Sequence, residues 1–202
     1  MKFAVVVGSH RVSSQSAKVA RFVERTILQK CAGSSVYVLE LGGNSLPFWD
    51  EGQWDDEDPR WKAIWAPIAG ELRAADALVV VSPEWGGMAP AALKNFFLLA
   101  GSVEIGHKPA LIVGVSSSRG GAYPIAELRS SSYKNNHICY IPEHVIVRDA
   151  KKVLNGDPAS EDDAYIRERI GYAIGVLEAY GRALAEVRAS GAVNYAKYPY
   201  GM

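Results

Sequence analysis

Three features of the chain predict an α/β protein built on a doubly wound, five-stranded parallel sheet with helices on both faces. Five apolar runs alternate with helical patterns at a steady interval. The runs are near-continuously apolar, as strands buried on both faces require. The first run passes straight into a polar turn and then a helical pattern, the join from which parallel sheets are assembled. Right-handed crossovers restrict the topology, and 2-1-3-4-5 is the common doubly wound order for five strands.

The strands are expected at 3–7, 36–41, 77–82, 110–115 and roughly 138–147. Pro142 interrupts the last run and predicts a short strand there. Helices are expected at 17–29, where Val19, Phe22, Val23 and Ile27 share a face, and at 61–75, with Ile64, Trp65, Ile68 and Leu72. Shorter ones follow at 91–100 and 124–133. A final helix carries Ile166, Ile170, Ile174, Leu177, Leu184 and Val187 close to one face, which marks them as core.

Composition sets bounds. A chain of 202 residues with 49% apolar content buries a sizeable core, and residues 1–202 are read as one domain, without repeat or linker. A formal net charge of zero argues against broad nucleic-acid binding and against the acidic surface of many electron carriers. Cys31 and Cys139 lack metal-ligand spacing and read as reduced, buried thiols of a cytoplasmic protein. His10, His107, His137 and His144 show no metal spacing either, and no metal site is expected. Met1-Lys2 leads directly into a strand, so no signal peptide is expected. No apolar run approaches the ~18–20 residues of a membrane span, and no membrane partner is expected.

In the order 2-1-3-4-5 the sheet changes direction between strands one and three, and ligands sit at the carboxyl ends of strands at such a switch. The first loop, Gly8-Ser9-His10-Arg11-Val12-Ser13-Ser14-Gln15-Ser16, sets hydroxyls, a guanidinium and a helix N-terminus at the end of a buried strand. That donor set describes a phosphate site. It lacks the Gly-Lys-Ser/Thr of a Walker loop and the three glycines of a dinucleotide fingerprint. Ser9, Arg11, Ser14 and Ser16 suit one terminal monophosphate instead. Ser13 or Ser14 can also cap the helix with no ligand at all.

The third strand leads into Pro83-Glu84-Trp85-Gly86-Gly87-Met88-Ala89-Pro90, where glycine backbone lies beside an aromatic and a polarizable side chain. A planar ring needing stacking and hydrogen bonds fits there; so does a helix-entry turn with a buried tryptophan. Glu84 and Lys94 read as an ion pair shaping the loop. The fourth strand leads into Ser116-Ser117-Ser118-Arg119-Gly120-Gly121, small and polar again, either a surface loop or the partner of that ring's polar edge. Three such loops at adjacent strand ends favour a ligand site over each separate alternative.

These residues resemble the NAD(P)H-dependent FMN reductases of the flavodoxin-like fold, over nearly the whole chain. The resemblance rests on Gly8-Ser9-His10-Arg11 with Ser14 and Ser16, on Ala75-Asp76, on Ser82-Pro83-Glu84-Trp85 with Pro90 and Leu93-Lys94-Asn95, and on Ser118-Arg119-Gly120-Gly121. It implies that Ser9, Arg11, Ser14 and Ser16 hold the FMN phosphate. It implies that Pro83, Glu84, Trp85, Gly86, Gly87 and Met88 lie along the isoalloxazine. Ser117, Ser118, Arg119, Gly120 and Gly121 would reach its pyrimidine edge. The chain departs from the family at Trp85, where Tyr is usual, at Gly86, where Asn is common, at His10, and at Leu98-Leu99, where an Asp-Trp pair is frequent.

The implied reaction moves hydride from NAD(P)H to FMN and then electrons to a flavin, quinone, azo, metal-ion or oxygen acceptor, with no catalytic side chain. The alternatives are a flavodoxin-like electron carrier and a non-catalytic flavin-binding regulator. The family also implies a homodimer or homotetramer. Residues 48–61 alternate aromatics with acids, and read either as a solvated loop whose tryptophans pack on the domain or as a lip over the flavin, contributed to a neighbouring subunit.

Overall fold

The computed structural model describes residues 1–55 and 57–201. The strands are β1 (Lys2–Val7), β2 (Ser35–Glu40), β3 (Ala77–Pro83), β4 (Pro109–Val115) and β5 (Cys139–Val147). They form one parallel sheet in the order β2-β1-β3-β4-β5. Every residue of β3 and β4 is buried, which explains their unbroken apolar sequences.

Side chains alternate across the sheet and divide the core in two. Phe3, Val5 and Val7 face α1 (Gln15–Lys30) and α6 (Glu161–Ala189), packing with Val23, Ile27, Ile174 and Leu177. Ala4 and Val6 face α2 (Pro59–Ala74), α3 (Ala91–Leu99) and α5 (Ala122–Ser131), packing with Trp65, Leu72, Leu93, Phe96 and Leu128.

The long helices begin where their sequences provide acceptors for free N–H groups. Ser14 caps α1 through the Ala17 N–H (3.1 Å). Asp58 caps α2 through Arg60 and Trp61, with Pro59 opening the helix. Ser160 caps α6 through Asp163. Capping moves the starts of α1, α2 and α6 two to five residues ahead of the apolar pattern. The sequence reading missed two short elements, a 3-10 turn (Glu51–Trp54) and α4 (Ser102–Ile105), because neither carries a helical apolar stripe.

The expectation of a short fifth strand is corrected. β5 runs nine residues, and the register against β4 shifts between Ala110 and Ile112. Pro142 lies within that irregularity, on a strand at the sheet's edge, where a missing N–H costs least. The Arg129 guanidinium donates to the carbonyls of Ile141 (2.7 Å), Pro142 (3.0 Å) and Glu143 (3.3 Å), satisfying backbone that the ladder leaves out.

Candidate functional site

The pairings Val7↔Val81 and Pro83↔Val115 place the ends of β1, β3 and β4 side by side. The backbone continues the join past the strands. Gly8 N–H donates to Val81 O (2.8 Å) and Glu84 N–H to Val115 O (2.9 Å). All three loops singled out by sequence therefore leave one edge of the sheet together.

In the first loop Ser9 and Ser16 are 2% exposed, yet both are polar. Ser9 Oγ accepts the Arg11 N–H at 3.3 Å. Arg11 itself is exposed, and no carboxylate pairs with it among the described residues. Ser14 serves as the α1 cap, the ligand-free role foreseen for it, and its hydroxyl proton stays available. The first turn of α1 holds no acid, so its positive end is uncompensated, whereas α6 opens on Glu161, Asp162 and Asp163. Gln15 Oε1 is buried with no hydrogen-bond partner.

The β3 loop is a small hairpin. Trp85 and Met88 exchange backbone hydrogen bonds (3.1 and 3.0 Å) around Gly86 (φ 55°) and Gly87 (φ 72°). Positive φ at both tip residues is the pattern of a type I′ turn, which only Gly and a few polar residues adopt cheaply. Gly86, Gly87 and Met88 are exposed, while Trp85 and Glu84 are half-buried and Pro83 is buried. His10 meets Trp85 edge to face, with ring centroids 4.2 Å apart and planes at 76°. That contact couples the first loop to the hairpin.

The predicted Glu84–Lys94 ion pair does not form. Glu84 turns instead toward the β4 loop, where its carboxylate accepts the N–H of Gly121 (2.7 Å) and Tyr123 (3.2 Å) at the start of α5. A side chain on Gly120 would collide with that carboxylate. Lys94 pairs with Glu127 on α5 (2.5 Å), whose other oxygen accepts the Ala89 N–H (2.7 Å). Burial raises the Glu127 pKa, but the Lys94 and Ala89 bonds outweigh it and hold the carboxyl below its usual range. Two carboxylates thus fix the hairpin to α5 from either end.

Ser117, Ser118 and Arg119 are exposed, Gly120 is half-buried and Gly121 buried. This loop is also held from β5, a support the sequence reading missed. Asp149 N–H donates to Ser118 O (3.0 Å) and Arg148 Nε to Gly120 O (3.3 Å). Tyr123 was missed as well. It is 68% exposed and its ring lies 4.0 Å from where a Gly87 side chain would begin. No residue pattern within 121–124 announces this, because the contact depends on the hairpin tip.

Residues 48–61 combine a packed and an exposed part, and Asp56 falls outside the described residues. Trp61 is buried, and Asp50 accepts from its indole (2.9 Å) and from Arg60 (2.6 Å). Those two bonds hold the Asp50 carboxyl below its usual range. Asn95 clamps the segment to α3, accepting from Trp49 N–H and donating to Pro47 O, both at 2.8 Å. Trp49 meets Trp54 edge to face at 5.0 Å, while Phe48 (77%) and Trp54 (74%) stay exposed.

Known proteins resemble this chain in sequence and in fold. A quinone reductase from Pseudomonas putida is 34% identical over 108 residues, which span 52% of this chain and only 50% of that protein. A 2-hydroxy-1,4-benzoquinone reductase from Burkholderia sp. is 30% identical over 171 residues, 80% of this chain and 87% of its own. Among solved structures, FerB, a flavoenzyme NAD(P)H:(acceptor) oxidoreductase from Paracoccus denitrificans, superposes with a TM-score of 0.66 at 21% identity, covering 92% of this chain and 97% of that one. An oxidoreductase from Corynebacterium diphtheriae gives the same score at 18% identity, covering 89% and 95%. These two show the flavodoxin-like fold. Residues 1–152 match the NADPH-dependent FMN reductase family, and the chain belongs to that family of flavin oxidoreductases, which work with FMN and NAD(P)H.

Proposed function

We propose that this protein uses bound FMN to oxidise NAD(P)H and reduce a small acceptor, with quinones the first class to test. The observation that carries the reading is the convergence at one sheet edge of buried hydroxyls, a guanidinium with no ion-pair partner among the described residues and an acid-free helix N-terminus beside an exposed glycine hairpin. This donor set fits FMN. Ser9, Ser14, Ser16 and Arg11 would hold its phosphate. The orphan acceptor Gln15 Oε1 matches a ribityl hydroxyl in chemistry. Pro83, Glu84, Trp85, Gly86, Gly87 and Met88 would lie along the ring. Ser117, Ser118, Arg119, Gly120 and Gly121 would meet its pyrimidine edge.

FMN, when bound, supplies the redox chemistry, accepting hydride and returning electrons to the acceptor. The chain binds, orients and shields, and no side chain acts as nucleophile or base. The curated relatives point to quinones among flavin, azo, metal-ion and oxygen acceptors. Two free thiols, Cys31 and Cys139, fit a reducing cytoplasm. Exposed Phe48, Trp54 and Leu98, on segments tied together through Asn95, fit a homodimeric or homotetrameric contact. All 202 residues would act as one FMN-binding unit.

The test is steady-state oxidation of NADPH and NADH with benzoquinone, with and without added FMN. Turnover that depends on FMN and acceptor is expected. FMN bound at saturation with no turnover would make the protein a carrier or a regulator.

A further inference from the structure

At the opposite end of the sheet, where the strands begin, a cleft of about 300 Å3 is lined by Arg73, Lys108, Arg188, Ser102 and Tyr195, with no carboxylate among its lining residues. Three cations therefore surround one small space, with two hydroxyls beside them. Lys108 is 5% exposed. Its ammonium donates to Leu72 O (2.7 Å) and Arg73 O (2.8 Å) at the end of α2, which uses two of its three N–H groups. Arg188 donates to His107 O at 3.0 Å.

The nearby acids compensate these charges poorly. Glu104 approaches Arg73, and Asp76 approaches Arg188, only to 3.9 Å in each case. Both carboxylates have closer partners. Glu104 accepts the Gly101 N–H at 3.0 Å and Asp76 the Lys2 N–H at 2.9 Å. A buried, incompletely paired cation is costly, and a bound anion removes that cost. Burial lowers the Lys108 pKa to about 8, so the group still carries charge near neutral pH.

We propose that this cleft binds one phosphate group, free or carried on a small phosphomonoester. Planar guanidinium forks and an ammonium match tetrahedral phosphate oxygens, and hydroxyls from Ser102 and Tyr195 complete the donor set. Seven residues of β4 separate it from the β4 loop, so it is distinct from the first-loop phosphate donors. The proposal does not rest on the flavin reading.

The test uses the 15N-labelled protein of residues 1–202 titrated with inorganic phosphate, and separately with glycerol 3-phosphate, at ionic strength fixed with sodium chloride. Saturable shifts are expected at the amides of residues 102–106 and 193–195. The midpoint should weaken at least tenfold in Arg73→Gln, a half-exposed position that spares the fold, and in Arg188→Gln. It should not move in Arg11→Ala, which reports the other loop. Tighter binding of glycerol 3-phosphate identifies a carried phosphate, and equal binding a free one; both support the site. Absent saturation, equal shifts with chloride alone, or unchanged midpoints in both arginine variants would overturn it.

Discussion

Arg11 and Ser14 sit three residues apart and do different things. Ser14 already has a partner in the Ala17 N–H, whereas the Arg11 guanidinium is exposed and has no hydrogen-bond or ion-pair partner among the described residues. Arg11→Ala should therefore weaken FMN binding by about 1–3 kcal/mol, the range for a lost charge-assisted hydrogen bond, and leave riboflavin binding unchanged. Equal loss of both ligands in paired titrations would make Arg11 a fold residue. Trp85, braced by His10, should report the ring: FMN quenches part of the tryptophan fluorescence, and Trp85→Phe removes most of that change. Full quenching in the variant would shift attention to Trp49 and Trp54. Glu84 pairs differently from its expected Lys94 ion pair. Its partners lie 37 and 39 positions away, so no local pattern could reveal them, and Lys94 offered a nearer, false partner. Glu84→Ala leaves two backbone N–H groups without an acceptor and should cost about 1–3 kcal/mol in urea unfolding. A change below 0.5 kcal/mol (roughly the surface-substitution range) would show that water replaces the carboxylate there.

Among the elements, strands were the most legible and their supports the least. β3 and β4 are unbroken apolar runs because both faces are covered, and such runs can be read directly. β5 is less legible at Pro142, because the strand continues past it only with Arg129 taking up the carbonyls that the irregular ladder leaves out, a contact no local pattern announces. The junction of α2 with β4 depends on Lys108, which covers the last carbonyls of α2. Its pKa, lowered by burial and by Arg188 against the opposing pull of Asp76 and Glu104, is about 8 in the folded state and 10.5 unfolded. Between those values the unfolded chain binds the extra proton, so this group makes stability rise with pH. In phosphate-free buffer, wild type should gain stability over Lys108→Met as pH goes from 8 to 10.5, by up to ~3 kcal/mol. A flat difference across that range would mean that the ammonium is not desolvated.

At the scale of the whole molecule, sheet order follows from strand count, handed crossovers and the common doubly wound arrangement, and the observed order agrees. The loops could be assigned to one edge for the same reason. Their tethering through Glu84, Glu127 and the β5 exit was hidden, because each bond joins segments brought together only by the sheet. If one edge serves both reductant and acceptor, as proposed, they bind in turn, so double-reciprocal plots at several acceptor concentrations should be parallel; intersecting lines would require two separate sites. The most direct test of the central claim is anaerobic titration of the FMN-saturated protein with NADPH, followed in the visible spectrum. The account predicts stoichiometric bleaching of the flavin absorbance and its return on adding benzoquinone. Unchanged absorbance through excess NADPH and NADH would contradict it.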